Sequence, residues 1–335
     1  MTVPESPETG APVGRTGVVL RDPLAWNDAM LVVETAEDTG YEAVFVPEIE
    51  SREAFATLAG FARSTARVRL GTGVVTLRSR SPAVTAMAAA TLAELSGGRF
   101  VLGVGAGSPG TGLPLPGSPL ALTEEYVRVV RDLLAGRTVR SVMFSVDGFR
   151  LGLTVEPPPI WLAALGDRMV ALAGRTADGV LLNWCPPERV ASAKRVLQEA
   201  TERAGRDPGD VTVAVYVRAC LGAEDGPALE ALRPMAGQYA SIPHYLAQLR
   251  AVGLGSEGEA AARSFAAGRP DQVPEALVRA LTVMGGRAEA LARFRAYLDA
   301  GADLVLCYPV AAAADPFSSI LGTVLAAAPS PAVER

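Results

Sequence analysis

From Gly17 the chain alternates short, apolar, β-branched runs with longer stretches in which apolar residues return at helical spacing. Ala43-Val44-Phe45-Val46 is apolar at every position, the pattern of a strand covered on both faces. Strands of this kind are predicted at Gly17–Leu20, Ala43–Val46, Val68–Thr76, Phe100–Val104, Ile160–Ala164, Val180–Asn183, Val211–Cys220 and Leu304–Tyr308. Helices are predicted between them: Leu24–Thr39 with Gly40 as its stop, Arg52–Thr65, a helix to Leu95 opened by Ser81-Pro82, Thr123–Leu134, Arg168–Thr176, Pro187–Ala204 and Pro316–Ala327. Residues 138–155 read as a hairpin turning at Asp147-Gly148, and residues 228–300 as a long helical region broken by glycines. Eight βα units in order favour a closed (β/α)8 TIM barrel over an open doubly wound sheet.

A length of 335 residues suits either two average domains or one α/β barrel with insertions. The unbroken alternation selects the second. It predicts a polar tail over residues 1–16, one barrel over 17–328 with insertions after the fourth and seventh strands, and a short tail over 329–335. The net charge of −5 gives no electrostatic footprint for nucleic acid, and no apolar run is long enough to cross a bilayer. The expected partner is therefore a small molecule. His244 is the single histidine, which excludes metal sites built on several imidazoles; a serine triad would have to recruit it from a helical segment. Cys185, Cys220 and Cys307 form no C-x-x-C pair and are expected as free thiols of a cytoplasmic protein.

Gly103-Val104-Gly105-Ala106-Gly107-Ser108 looks at first like a dinucleotide fingerprint, but its sixth residue is serine and it follows the fourth strand. It reads instead as a turn at a strand C-terminus, where barrels carry their chemistry. By the same geometry Tyr216 and Arg218 alternate onto one face of the seventh strand, where a charge must find a partner or an anion. Asn183, Trp184 and Cys185 end the sixth strand, and Tyr308 ends the eighth. Arg78 and Arg80 follow the third strand, either as holders of an anionic tail or as solvated loop residues. His244 is either a helix-surface residue or part of a lid over the barrel mouth, and the hairpin is a second candidate lid or a subunit contact.

Three stretches together resemble the luciferase-like flavin and deazaflavin oxidoreductases, in the branch of methylenetetrahydromethanopterin reductase. They are Leu70-Gly71-Thr72-Gly73-Val74-Val75 with Arg80-Ser81-Pro82-Ala83-Val84; residues 91–100 with Leu102-Gly103-Val104-Gly105-Ala106-Gly107; and Ile160-Trp161-Leu162-Ala163-Ala164-Leu165-Gly166 running on to Asp178-Gly179. The resemblance implies a non-prolyl cis peptide at Gly73–Val74, where glycine on the N-side lessens crowding, pressed against the back of the cofactor ring. It also implies cofactor contacts from Gly105, Ala106, Gly107 and Ser108. Ala163, Ala164, Leu165 and Gly166 would bring backbone N–H groups to the cofactor's anionic tail, aided by Arg168 and the positive end of its helix. Asp167 departs from the family pattern and is expected to cap that helix.

The second strand departs further. Relatives often end it with an acidic residue and a histidine; here Glu48 and Ile49 stand there, and Ser108 replaces a frequent glutamate. Glu48 is then the candidate acid or base, its pKa raised by burial, or else a carboxylate paired with Arg52. The resemblance implies a coenzyme F420-dependent oxidoreductase moving a hydride to or from a small organic substrate. The alternatives are an FMN-dependent monooxygenase and a cofactor-free lyase, cyclase or ligand-binding protein on the same barrel. A homodimer is the expected assembly, with a separate flavin or F420 reductase as a further expected partner.

Overall fold

The computed structural model describes residues 15–21, 23–107, 115, 117–312 and 314–329. Eight parallel strands close into a barrel: β1 (Thr16–Val19), β2 (Ala43–Val46), β3 (Arg69–Thr72), β4 (Phe100–Gly105), β5 (Ile160–Ala163), β6 (Gly179–Asn183), β7 (Thr212–Leu221) and β8 (Leu304–Pro309). Each pairs with its neighbours in sequence order, and β8 returns to β1 with Val305 opposite Thr16. Thr16, the last residue of the predicted tail, is therefore the first of the sheet.

The helices begin and end where local chemistry demands. α1 (Trp26–Asp38) stops before Gly40, which takes φ +88°. α2 (Ala54–Ser64) is capped by Glu53, whose carboxylate accepts from the Phe55 and Ala56 N–H groups. α3 (Pro82–Leu95) has Ser81 as its cap and proline in the first turn. α4 (Pro119–Leu134), α5 (Asp167–Thr176) and α6 (Pro187–Arg203) complete the regular units. The hairpin is present but turns at residues 142–145, so Asp147 and Gly148 belong to its second strand, Val146–Phe149. It lies against α4: Phe144 meets Tyr126 edge-on, and Ser141 donates to Glu125.

The predicted helical region after β7 resolves into α7 (Asp225–Ala240), α8 (Pro243–Ala251), α9 (Gly255–Ala266), α10 (Glu275–Leu281) and α11 (Arg287–Asp299). It also holds an unpredicted short strand, Thr282–Gly285. β7 outruns β6, which pairs only with residues 212–216, and the extra strand takes the free edge at residues 218–221. α12 (Pro316–Ala326) closes the ring of helices.

Alternate strand residues fill the barrel. Phe45 and Trp161 stack at 5.5 Å, with Val19, Val101, Leu181, Ala214, Tyr216, Leu304, Leu306 and Tyr308 around them. The large rings require small neighbours: a Cβ at Gly71 would lie 2.3 Å from the Phe45 ring, and one at Gly179 2.6 Å from Trp161. A separate apolar cluster under α7, α8 and α10 joins them to the end of β7 through Cys220. The long connection is thus packed over the C-terminal half of the barrel mouth.

Candidate active site

The β3–β4 ladder runs in register at Gly71 opposite Val101 and resumes at Val75 opposite Val104. β3 therefore carries one extra residue, a bulge over Thr72, Gly73 and Val74. The Gly73–Val74 peptide is cis, as the resemblance implied. Thr72 Oγ1 accepts from the Gly103 N–H and donates to its carbonyl, both at 2.8 Å. The Gly73 N–H donates to Val46, and across the barrel the Tyr216 hydroxyl donates to the Gly73 carbonyl at 3.1 Å. Burial pushes the Tyr216 phenol well above its ordinary pKa, so it remains a donor. A Cβ at Gly105 would lie 3.0 Å from Val74 and 3.1 Å from Ala163. The ends of β3, β4 and β5 thus meet at one place, with Gly107 at φ +70° beyond them. Ser108 lies outside the described residues.

Glu48 sits on the rim beside this bulge. Both its oxygens accept from Arg80, at 2.8 and 2.6 Å, and one accepts from the Ala54 N–H. Burial pulls its pKa up, but the Arg80 and Ala54 hydrogen bonds and the Arg80 charge outweigh that and hold the carboxyl below its ordinary value. The expected upward shift is reversed. The partner is Arg80 and not Arg52, whose guanidinium donates to the Leu24 carbonyl. Arg80 is further engaged by Glu53 and stacks on Phe55, and Arg78 Nε donates to the Ala106 carbonyl at 3.0 Å. Both arginines are committed to the protein's own acceptors. A cleft of about 470 Å³ runs along this rim from Glu48 to Ser81, and Ile49 stands half-exposed in its wall.

The β5 loop differs in detail from expectation. The Ala164 N–H is spent on the Leu181 carbonyl, so it cannot serve a tail. Asp167 does not cap α5; it pairs with the buried Arg189 at 2.8 Å, and Arg189 also donates to the Leu165 carbonyl. Gly166 is the cap residue, and no side chain caps the helix. A Cβ built on Gly166 would meet nothing within 4 Å, so open space adjoins the uncapped first turn. Arg168 is exposed there.

The opposite half of the mouth, from β6, β7 and β8, is aromatic and charged. Arg218 is 2% exposed. Its guanidinium carbon lies 4.5 Å from the Trp184 ring centroid, 5.3 Å from Tyr239 and 4.3 Å from Tyr308, and it donates to Asn183 Oδ1. Asn183 Nδ2 donates to Tyr245, and Gln248 Nε2 donates to the Asn183 and Trp184 carbonyls. Arg218 Nε, Trp184 Nε1 and Gln248 Oε1 are buried without a hydrogen-bond partner, and the buried Tyr308 hydroxyl makes no hydrogen bond of good geometry but has the Arg21 guanidinium beside it. The strand residues were visible as candidates from alternation alone. Tyr239, Tyr245 and Gln248 were not; the clue was a pair of tyrosines in an alanine-rich stretch. It is Tyr245 that turns inward, while His244 is exposed on α8. All three cysteines are buried free thiols, Cys185 pushed up to about 12 by burial. Among the described residues no three metal-ligating side chains cluster, and no helix is long and apolar enough to cross a membrane.

A (β/α)8 barrel with a bulged third strand, a glycine turn after the fourth and an open helix start after the fifth defines a class of cofactor-binding barrels. Residues 6–304 match the family described as luciferase-like monooxygenase, and the chain belongs to that family. It is 30% identical over 277 residues to a 5,10-methylenetetrahydromethanopterin reductase of Methanolobus tindarius, covering 79% of this chain and 85% of the relative. It is 31% identical over 289 residues to a Mycobacterium tuberculosis protein named for a proposed coenzyme F420-dependent oxidoreductase activity, covering 76% and 82%. Among solved structures, the coenzyme F420-dependent tetrahydromethanopterin reductase of Methanopyrus kandleri superposes with a TM-score of 0.78 at 22% identity, over 94% of this chain and 98% of that one.

Proposed function

We propose that this protein is a coenzyme F420-dependent oxidoreductase acting on a small organic substrate. The observation that carries the reading is the convergence of the Gly73–Val74 bulge, Gly105 and Ala163 at the barrel mouth, in a chain whose relatives include F420-dependent enzymes. The residues fit such a group. The bulge supplies bare backbone at Gly73 with the Val74 side chain beside it, and Gly105, Ala106 and Gly107 continue that wall with little side-chain bulk. The open space at Gly166, beside the uncapped start of α5, suits an anionic tail, with Leu165 and Arg168 flanking it.

Bound coenzyme F420 supplies a two-electron hydride carrier; the protein supplies orientation and the exclusion of competing reactions. Tyr216 fixes the bulge from across the barrel through the Gly73 carbonyl. Arg189 sets the course of the β5 loop by holding Leu165 and Asp167. Glu48, ionised at neutral pH by its Arg80 partner, acts at the rim as a fixed negative charge and hydrogen-bond acceptor and not as a proton donor. α7 and α8 cover the far half of the mouth and keep bulk water from Arg218 and Tyr308.

Titration of the purified protein with coenzyme F420 and, separately, with FMN tests the reading through cofactor and tryptophan fluorescence. Micromolar binding of F420 with much weaker binding of FMN is expected. Tighter binding of FMN would assign the protein to the flavin monooxygenases of its family, and binding of neither would leave a cofactor-free activity on the barrel.

A further inference from the structure

We propose that Arg218 is a specificity-determining residue that receives a carboxylate of the substrate; this rests on the oxidoreductase reading for calling the ligand a substrate. The two halves of the barrel mouth differ in kind. Every candidate cofactor contact comes from β3, β4 and β5 or the segments that follow them, and apart from Val74, Leu165 and Arg168 these are small residues or backbone. The far half, from β6 to β8, presents a guanidinium walled by three aromatic rings. In the closed strand order β7 lies diametrically across from β3, so Arg218 faces the cofactor wall across the mouth.

A cation buried to this degree is paired with an anion in most proteins, because an unpaired buried charge is costly. Arg218 makes no ion pair among the described residues; its one hydrogen bond goes to the neutral Asn183. Ring faces partly stabilise the charge, but they are weak acceptors, and the Nε proton has no oxygen or nitrogen partner. Trp184 Nε1 is a second unpartnered donor, on a ring already in contact with the guanidinium, and the Tyr308 hydroxyl, which has the Arg21 guanidinium beside it, is a further polar group on another such ring. A buried guanidinium with an unpartnered Nε, beside a ring whose own N–H is also unpartnered, matches a planar, singly charged acceptor, and guanidinium binds carboxylate through a fork of N–H donors. The rings of Trp184, Tyr239 and Tyr308 suit an apolar body behind the charged group. The ligand class is therefore a small apolar carboxylic acid.

Benzoate and its neutral isostere benzamide, added to the F420-loaded protein, separate charge from shape, and tryptophan fluorescence reports binding beside Trp184. Benzoate is expected to bind at least tenfold more tightly than benzamide. Arg218→Met should lose that preference while F420 affinity stays within about twofold, and Arg218→Lys should keep part of it. Arg218→Met also loses the hydrogen bond to Asn183 and the ring contacts, so its melting is measured beside its binding; if it fails to fold, Arg218→Lys against the parent decides the question. Equal binding of the two probes, no binding of either, or a full benzoate preference in Arg218→Met overturns the proposal. So does an Arg218→Met protein whose main loss is F420 affinity, because that places Arg218 in the cofactor site. If the parent protein binds benzoate selectively but not F420, the carboxylate site stands and the cofactor reading fails.

Discussion

Gly73→Ala probes how the bulge is held. A Cβ at this position would lie 2.0 Å from the Tyr216 hydroxyl oxygen and 3.2 Å from both Phe45 Cβ and Tyr216 Cζ. Ordinary contact begins near 3.4 Å, so the phenol must withdraw by roughly 1.4 Å in a core that has no slack. Tyr216 is 6% exposed and meets Tyr308 edge-on at 6.3 Å, which leaves it nowhere to go. Overpacking of this kind costs about 1–3 kcal/mol. Losing the hydrogen bond to the Gly73 carbonyl, with the hydroxyl left buried, adds about 1–3 kcal/mol. At roughly 2 °C per kcal/mol for a chain of this size, Gly73→Ala should melt about 4–12 °C below the parent. Tyr216→Phe alone loses only the hydrogen bond, about 1–2 kcal/mol. In the double variant the hydroxyl is gone and the nearest ring atom is Cζ, a contact that small shifts relieve. Thermal melting of the four proteins should therefore show the double variant well above the sum of the singles, with a coupling of about 1–3 kcal/mol. A double variant that melts as low as additivity requires would refute the clash as the cause.

Two further outcomes follow from the rim and the β5 loop. The Glu48 carboxyl is held below its unfolded value by Arg80, so its contribution is fully present above about pH 5 and is lost as pH falls through and below the ordinary carboxylate range. Glu48→Gln should therefore cost about 1–3 kcal/mol at pH 7, and the gap to the parent in melts should narrow steadily as pH falls below the ordinary carboxylate range; a gap that widens in acid would contradict the assignment. Gly166→Asp enters open space and should melt within about 2 °C of the parent. Its carboxylate should weaken F420 binding about tenfold at low salt and less at high salt, because the repulsion is screened. An unchanged affinity at low salt would remove the α5 start from the tail site.

The barrel was legible in the chain because each of its strands is a short apolar run that must be buried on both faces, and because glycine, proline and serine punctuate the helices between them. Ser81-Pro82 before α3 and Gly40 after α1 act through their own backbone chemistry and need no distant partner. The bulge was legible for a related reason: Gly71, Thr72 and Gly73 form a weak strand end that resembles the same segment of a known family. The strand Thr282–Gly285 was not, since four residues between two helices become a strand only where β7 outruns β6 and leaves an edge to fill.

Side-chain chemistry divides the same way. Alternation along β7 was enough to place Tyr216 and Arg218 on one face, and a single histidine was enough to exclude imidazole-based metal sites. What Arg218 meets was decided by tertiary structure alone: Trp184 stands 34 positions before it, Tyr239 21 after it and Tyr308 90 after it. The direction of the Glu48 shift was likewise undetermined until Arg80, 32 positions away, was seen to reach both oxygens. Local sequence specifies backbone conformation and burial, which depend on near neighbours. The charge state of a carboxylate, or the absence of a counter-ion beside a buried arginine, depends on whichever groups the closed barrel brings within a few ångströms.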